Sequence, residues 1–424
     1  MGNLKNIFAY CPSLALMMVY ASLPFGFSTF QRWALILFGV SFSLDYIIFS
    51  RWKGWKWESY KVLYVTCILF FLFIPLWHIW ENGHDTNYYI RCIEQRVPFA
   101  AYGLIGLMGL SDKYKIRDFA VVSMLTSIFL VFFSYYQFYH GIGDRFYAEE
   151  LGFSENLNAF RDWTTLRVNA HMTFNMFMNL TLLFIFYLWR AEGVEKWRVR
   201  LSYVSLFFIL FTVCFLLNGR TGLITLLLFF VVYFAVTRYQ ILLKYKGYVT
   251  GVVLAIALSA YCLMPQFNKN QDEKNPRLAI WKVTSELICE RPFLGYGVVE
   301  ARETFVERGL NDKEFYDNYA VKYIMEHPIM NKKGEVDLTQ MHPHNMFLCI
   351  ALEFGFLGVV LLCFCLVLPI FFFRRRRCFC FLGMAVSAYL IQGLFESIGP
   401  HLLPTFLMIE YLLWNYAVDA DELV

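Results

Sequence analysis

Residues 341–348, MHPHNMFL, set two imidazoles and a carboxamide at the start of a long apolar run, Met346 to Phe373. A neutral imidazole takes up a proton near pH 7, so His342 and His344 are candidates for a general base. Their spacing also suits metal ligands. No H-x-x-x-H pair or nearby Asp/Glu cluster supplies a third ligand, and no metal is expected. With Asn345 they are also read as polar caps of the helix that follows. Two arginines suit an anion. Arg220, in LLNGRTGL, falls between two apolar runs with almost no loop. A guanidinium there must snorkel, pair with a carboxylate, or bind an anion through its planar fork. Arg277 follows Asn275-Pro276, a helix start with an N-cap side chain and proline at the first helical position. Arginine opposes the dipole at that end, while the free N–H groups there attract phosphate. A bound anion reconciles both features; an exposed loop arginine is the alternative. Trp281 lies four residues on and shares a face with Arg277.

The carboxylates divide by position. Glu396, in LFESIGPH, ends an apolar run with His401 nearby and is a candidate for the same site. Glu353 stands nine residues past His344, about 180° round a helix, which places it to pair inside a bundle rather than beside that histidine. Arg96, in RCIEQRVPF, and His171, in NAHMTFNMF, begin apolar runs on the same expected side and are cavity-lining candidates.

The elements that must position these groups are apolar helices. The 424 residues are 58% hydrophobic, 20% aromatic and 17% charged, with a mean hydropathy of +0.49. Runs of about 18 or more apolar residues recur, enough to cross a ~30 Å hydrocarbon core as helix. They do not alternate as barrel strands do. The expected fold class is an all-α polytopic membrane protein. About twelve transmembrane helices are expected, near 7–26, 33–50, 60–80, 94–111, 119–137, 172–189, 201–217, 221–237, 248–264, 345–372, 379–396 and 403–418. Short basic loops follow every second span, which puts them and both termini in the cytoplasm by the positive-inside rule. The expected division is 1–264 for transmembrane helices 1–9, 265–343 for a large periplasmic loop, and 344–424 for helices 10–12. The loop has eleven Lys/Arg and thirteen Asp/Glu. It is expected to be partly helical: a helix from Pro276 to Pro292, a turn at Gly295-Tyr296-Gly297, and helices near 298–308 and 312–326. All eight histidines fall on the expected outer side or its border. Cys92 and Cys289 share that side, and their pairing is left open. Nothing points to nucleic acid.

The order of these motifs resembles the O-antigen ligase family and its polymerase relatives. The resemblance rests on NGRTGL between two hydrophobic helices, PRLAIW then LGYG in a large outer loop, and HPHN then ALEFGFLG entering the next helix. It implies a metal-independent inverting glycosyltransferase of the bacterial inner membrane, without cofactor, acting at the periplasmic face. The implied donor is a glycan on undecaprenyl pyrophosphate; the acceptor is a glycan, lipid A-core or protein hydroxyl. Arg220 and Arg277 would bind the pyrophosphate, and His344, supported by His342 or exchanging roles with it, would serve the acceptor. Glu396 matches the family's outer acid more loosely. Polymerase and protein O-oligosaccharyltransferase share these motifs. A lipid-linked glycan flippase or transporter is the alternative of another class, and it predicts polar groups along a pathway open to both sides rather than clustered at one.

Overall fold

A computed structural model describes residues 2–25, 28–49, 55–59, 61–79, 86–109, 115–142, 170–191, 196–213, 220–237, 276–312, 343–372, 379–395 and 409. Its regular structure is helical, with no strand among the described residues, in keeping with the all-α expectation. In chain order the helices are α1 Gly2–Ser22, α2 Ser28–Ile48, α3 Lys61–Trp77, α4 Thr86–Met108, α5 Ile116–Ile142, α6 Ala170–Ala191, α7 Trp197–Phe211, α8 Arg220–Thr237, α9 Pro276–Glu290, α10 Val298–Asn311, α11 Met346–Phe372 and α12 Phe379–Phe395. Helices α9 and α10, with the turn at 295–297 between them, fall where the loop's pattern placed them. The spans expected at 248–264 and 403–418, and the helix at 312–326, lie outside the described residues apart from residues 312 and 409.

Two described stretches, Ile116–Tyr136 and Met346–Leu368, are long and apolar enough to cross a membrane. Shorter apolar helices lie at Lys61–Trp77, Thr221–Tyr233 and Phe381–Leu394. Large apolar side chains also cover outward faces, among them Trp33, Ile47, Leu69, Phe129, Phe132 and Phe207. Exposed apolar surface of this extent marks a face for a membrane or for another protein.

Helix α6 is the centre of the bundle. Nearly every side chain from Phe174 to Phe186 is buried, as expected of a helix that is apolar all round. It packs against α5, α7, α8 and α12. Hydroxyls join the interior where hydrophobic driving force between helices is weak: Ser123 bonds Thr181 at 2.7 Å, Ser127 bonds Ser205 at 2.7 Å, and the Trp189 indole donates to Ser202 at 2.7 Å. Helix α4 ends at Gly109, whose φ of 88° forms a left-handed cap. The Trp55 indole donates to the terminal Leu107 carbonyl at 2.8 Å.

The chain's polar motifs gather at one end of the bundle. Tyr187, near the end of α6, meets Phe381 at the start of α12, so the start of α6 and the end of α12 share the opposite end. Asn345 just before α11 bonds Leu394 near the end of α12. Asn175 in the first turns of α6 packs on Gly222 in the first turn of α8. Arg302 of α10 lies over Tyr88 in the first turn of α4. Cys92 and Cys289 are both free thiols, Cys92 buried in α4 and Cys289 exposed near the end of α9.

Candidate functional site

The turn before α11 is held from three sides. The Trp281 indole of α9 donates to the Pro343 carbonyl at 2.9 Å. The Asn345 side-chain oxygen accepts from Leu348 N–H at 3.0 Å, an N-cap that satisfies one of the helix's free donors. The amide nitrogen of the same side chain donates to the Leu394 carbonyl at 2.8 Å. Between these anchors His344 is half-buried and has φ of 50°, a left-handed conformation that is uncommon outside glycine. The cap reading of the motif therefore holds for Asn345, while His344 is set in an unusual backbone conformation. His342 lies outside the described residues. Arg277 occupies the first turn of α9, one turn before Trp281.

Arg220 opens α8. The depth of that helix start is fixed by two buried carboxamides on α6. The Asn179 amide donates to the Gly222 carbonyl at 3.2 Å. The Asn175 side chain packs so close to Gly222 that a Cβ there would lie 2.5 Å from its oxygen and 2.7 Å from Cγ. Only glycine allows this approach. The Asn175 and Asn179 side-chain oxygens are buried without a hydrogen-bond partner among the described residues. Asn175 and Asn179 stand four residues apart on α6, one stripe directed at the first turn of α8, and the His171 position lies one turn before Asn175.

A third feature ties α9 and α10 to α11. Helix α11 breaks at Gly355, with φ 63° and ψ −161°, a region almost restricted to glycine. At a continuous helix position, Phe356 N–H would bond Leu352 C=O and Leu357 N–H would bond Glu353 C=O. Instead those two N–H groups donate to Pro292 and Phe293 carbonyls at 2.7 and 3.3 Å. The Leu352 and Glu353 carbonyls accept from Tyr296 and Gly297 N–H at 2.9 and 2.7 Å. The two segments exchange backbone partners, and the two helical bonds lost at the break are replaced by four bonds between segments. A Cβ on Gly355 would strike the Phe293 backbone.

Beside the break, Arg96 of α4 bonds Glu353 at 2.6 Å, with both side chains largely buried. Glu353 thus pairs inside the bundle, as its position on α11 led us to expect. Arg96 Nη1 is buried without a hydrogen-bond partner among the described residues, and the guanidinium also lies 5.8 Å from the centre of the Phe354 ring. Arg96 is occupied as a strut between α4 and α11. At the end of α9, Glu290 accepts from the Tyr296 hydroxyl and from Arg308 of α10, each at 2.8 Å. These two bonds, the tyrosine's first, hold the Glu290 carboxyl below its ordinary range. Arg291 pairs with Glu300 at 2.9 Å.

The structure therefore brings Trp281, the His344 turn and the end of α12 into direct contact, and places the Arg277 position one turn from that contact. It sets the Arg220 and His171 positions at the same end, on α8 and α6. Glu396 follows α12 by one residue and lies outside the described residues. Sequence reasoning passed over Asn175, Asn179, Gly222 and Gly355. The four-residue recurrence of His171, Asn175 and Asn179 in an apolar helix was a usable signal for the first two.

Residues 205–363 match the O-antigen ligase family. This interval holds α8, α9, α10, the His344 turn and the break in α11. A Rickettsia conorii protein named "Putative polysaccharide ligase" is 31% identical over 115 residues, covering 27% of this chain and 24% of the relative. A Rickettsia prowazekii protein of the same name is 32% identical over 117 residues, with the same coverage. The aligned region spans about a quarter of each relative's length.

Proposed function

We propose that this chain is a polysaccharide ligase-like membrane glycosyltransferase that moves a glycan from undecaprenyl pyrophosphate to an acceptor hydroxyl. In this reading the reaction runs at the periplasmic face of the bacterial inner membrane, and both termini are cytoplasmic. The observation that carries the reading is the three-way anchorage of the His344 turn, by Trp281 one turn from Arg277 and by Asn345 on the end of α12. The ligase-family match over 205–363 covers Arg277, Trp281, His344 and Asn345.

The chemistry is one displacement. The acceptor oxygen attacks the anomeric carbon, and its bond to carbon forms as the carbon–oxygen bond to pyrophosphate breaks. The electron pair leaves with the pyrophosphate, and inversion follows from the single attack. Arg220 and Arg277 stabilise that growing charge, the electrostatic contribution that is usually largest in such sites. His344 takes the acceptor proton, with His342 and Glu396 assigned to its support; general-base help of this kind contributes about 10²–10⁴-fold. The turn's fixed backbone holds the base in place. No metal is assigned a step.

The test is to incubate purified protein with lipid-linked glycan and candidate acceptors and identify the product, which also separates ligase, polymerase and protein glycosyltransferase. Arg277→Ala and His344→Ala should each abolish transfer while leaving a monodisperse, inserted protein. Wild-type transfer by either variant would remove the role given to that residue. Transfer should persist in EDTA; loss of activity restored by a divalent ion would overturn the metal-free assignment. A cysteine at Asn331 should react with an impermeant maleimide in intact spheroplasts, and protection there would invert the topology.

A further inference from the structure

The turn joining α9 to α10 carries apolar side chains outward. Phe293 is 74% exposed, and Phe356 beside it on α11 is 64% exposed. Leu294 and Leu357 are exposed as well, as are Leu76 and Ile79 at the end of α3. The turn and Trp77 of α3 line a cavity of about 620 Å³, formed by Trp77, Arg291, Pro292, Phe293, Leu294 and Gly295. Among the described residues its one charged lining group, Arg291, is engaged by Glu300 at 2.9 Å and lies over the Tyr296 ring at 4.4 Å. The described lining therefore suits a hydrocarbon chain, and its one cation is already paired.

The depth of the turn follows from α11. Arg374 to Arg377 mark the far end of that helix. About 20 helical residues cover a ~30 Å hydrocarbon core, and counting back from Phe372 reaches Leu352 and Glu353. These are the residues whose carbonyls accept from the turn. The turn therefore lies at the hydrocarbon boundary, where irregular backbone is tolerated only when its polar groups are satisfied. The four exchanged bonds satisfy them. The partly exposed pairs Glu290–Arg308 and Arg291–Glu300 flank the turn, as charged groups flank an interfacial segment.

We infer that residues 292–295 are an interfacial membrane anchor: Phe293 and Leu294 dip among the acyl chains of the phospholipid leaflet at the site end, and the cavity beside Trp77 seats one such chain. This rests on α11 crossing the membrane and not on the transfer reaction. The anchor fixes the height of α9 through the turn, and with it the heights of Trp281 and the His344 turn.

The experiment places photoreactive p-benzoylphenylalanine singly at Phe293, Leu294 and Phe356 in full-length protein. Each variant is reconstituted in nanodiscs of phosphatidylethanolamine and phosphatidylglycerol, irradiated, and its adducts are weighed by mass spectrometry. Leu72 on the exposed face of α3 is the lipid-facing control, and Glu307 on α10 is the water-facing one. Phospholipid adducts at 293 and 294 within about twofold of the Leu72 yield, with none at 307, are expected. Adducts at Leu72 without adducts at 293 or 294 overturn the anchor. Adducts at 293 that appear only when undecaprenyl phosphate is added assign the cavity to that chain and overturn the phospholipid assignment. All replaced positions are exposed, and monodispersity by size exclusion reports the fold of each variant. Because the readout is an adduct mass, it stands whether or not the protein transfers a glycan.

Discussion

Gly355→Ala is the sharpest test of the exchanged backbone. Alanine at φ 63°, ψ −161° carries a conformational cost of about 1–3 kcal/mol. Its Cβ also strikes the Phe293 backbone, and forcing extra bulk into a packed site costs about 1–3 kcal/mol more. The docked variant is therefore destabilised by ~2–6 kcal/mol. The chain has one escape: α11 straightens and the turn is expelled. Hydrogen bonds do not oppose this. The straight helix regains bonds 356 to 352 and 357 to 353, and the freed turn can form 296 to 292 and 297 to 293, so four bonds replace four. Packing opposes it. Tyr296 and Leu352 are buried in the small core between α9, α10 and α11, and exposing two such side chains costs about 3–6 kcal/mol. Both routes are costly, so the variant should lose thermal stability in detergent, read by the fraction monodisperse after heating. Hydrogen exchange over 292–297 and 352–357 separates the routes, rising if the turn is expelled and staying low if it remains docked under strain. A variant with wild-type heat resistance and unchanged exchange would show that the break does not depend on glycine, and the exchanged pairing would be wrong.

Other expectations follow from single contacts. Gly222→Ala drives the first turn of α8 away from Asn175, and because a shift of about 1 Å in a positioning element can cost 10²-fold in rate, transfer should fall by up to that factor; Asn175→Ala added to it opens the space and should restore part of the rate, and no recovery would mean the carboxamide does not set the position of Arg220. Glu353→Gln leaves the Arg96 charge buried beside a neutral partner and should cost about 3–5 kcal/mol, whereas Arg96→Met with Glu353→Leu should cost less than either single change; an additive double mutant would show that the pair is not coupled. Glu290 titrates below its ordinary value of about 4.3, so its contribution to α9–α10 pairing is complete above that value and lost as pH falls through the lower folded value. Limited proteolysis of this hairpin should therefore accelerate only in strongly acidic buffer, and Glu290→Gln should remove that acid dependence.

The helices were legible because apolar length is written in composition, and in a nonpolar solvent helix is the conformation that satisfies every backbone group within a segment. The starts of α8 and α9 were legible from NGRTGL and Asn275-Pro276, where glycine, proline and capping residues carry a local mechanism. Glu353 was legible too, since helical periodicity alone turned it away from His344 and into the bundle. Its partner was not. Arg96 is 257 residues away in sequence, and no local pattern encodes a contact at that separation. The break in α11 was hidden for a related reason. The glycine in ALEFGFLG is unremarkable in an apolar helix until the turn PFLGYG is brought against it, and each segment supplies half of the pairing. Asn175 and Asn179 were passed over because the glycine they pack against belongs to another helix.

The exchanged pairing also bears on why the proposed site stands where it does. A join between α11 and the α9–α10 turn that conserves hydrogen bonds contributes little to stability by itself, so its value lies in position. It fixes Leu352 and Glu353 at the hydrocarbon boundary in the inferred arrangement. Asn345 is seven residues further out, about 10 Å along the helix, while headgroup layers extend about 5–8 Å beyond the hydrocarbon on each side. Under the proposed reading the His344 turn then sits just above the layer that holds lipid phosphates. A sugar carried on pyrophosphate projects to that height, with its anomeric carbon beyond the phosphates and within reach of a base on the turn. A site built at the level of Gly355 would meet acyl chains instead, and one on the far side of α10 would lose the lipid. The break, the anchor and the histidine turn are thus three heights on one helix, set by one glycine and the turn that docks against it.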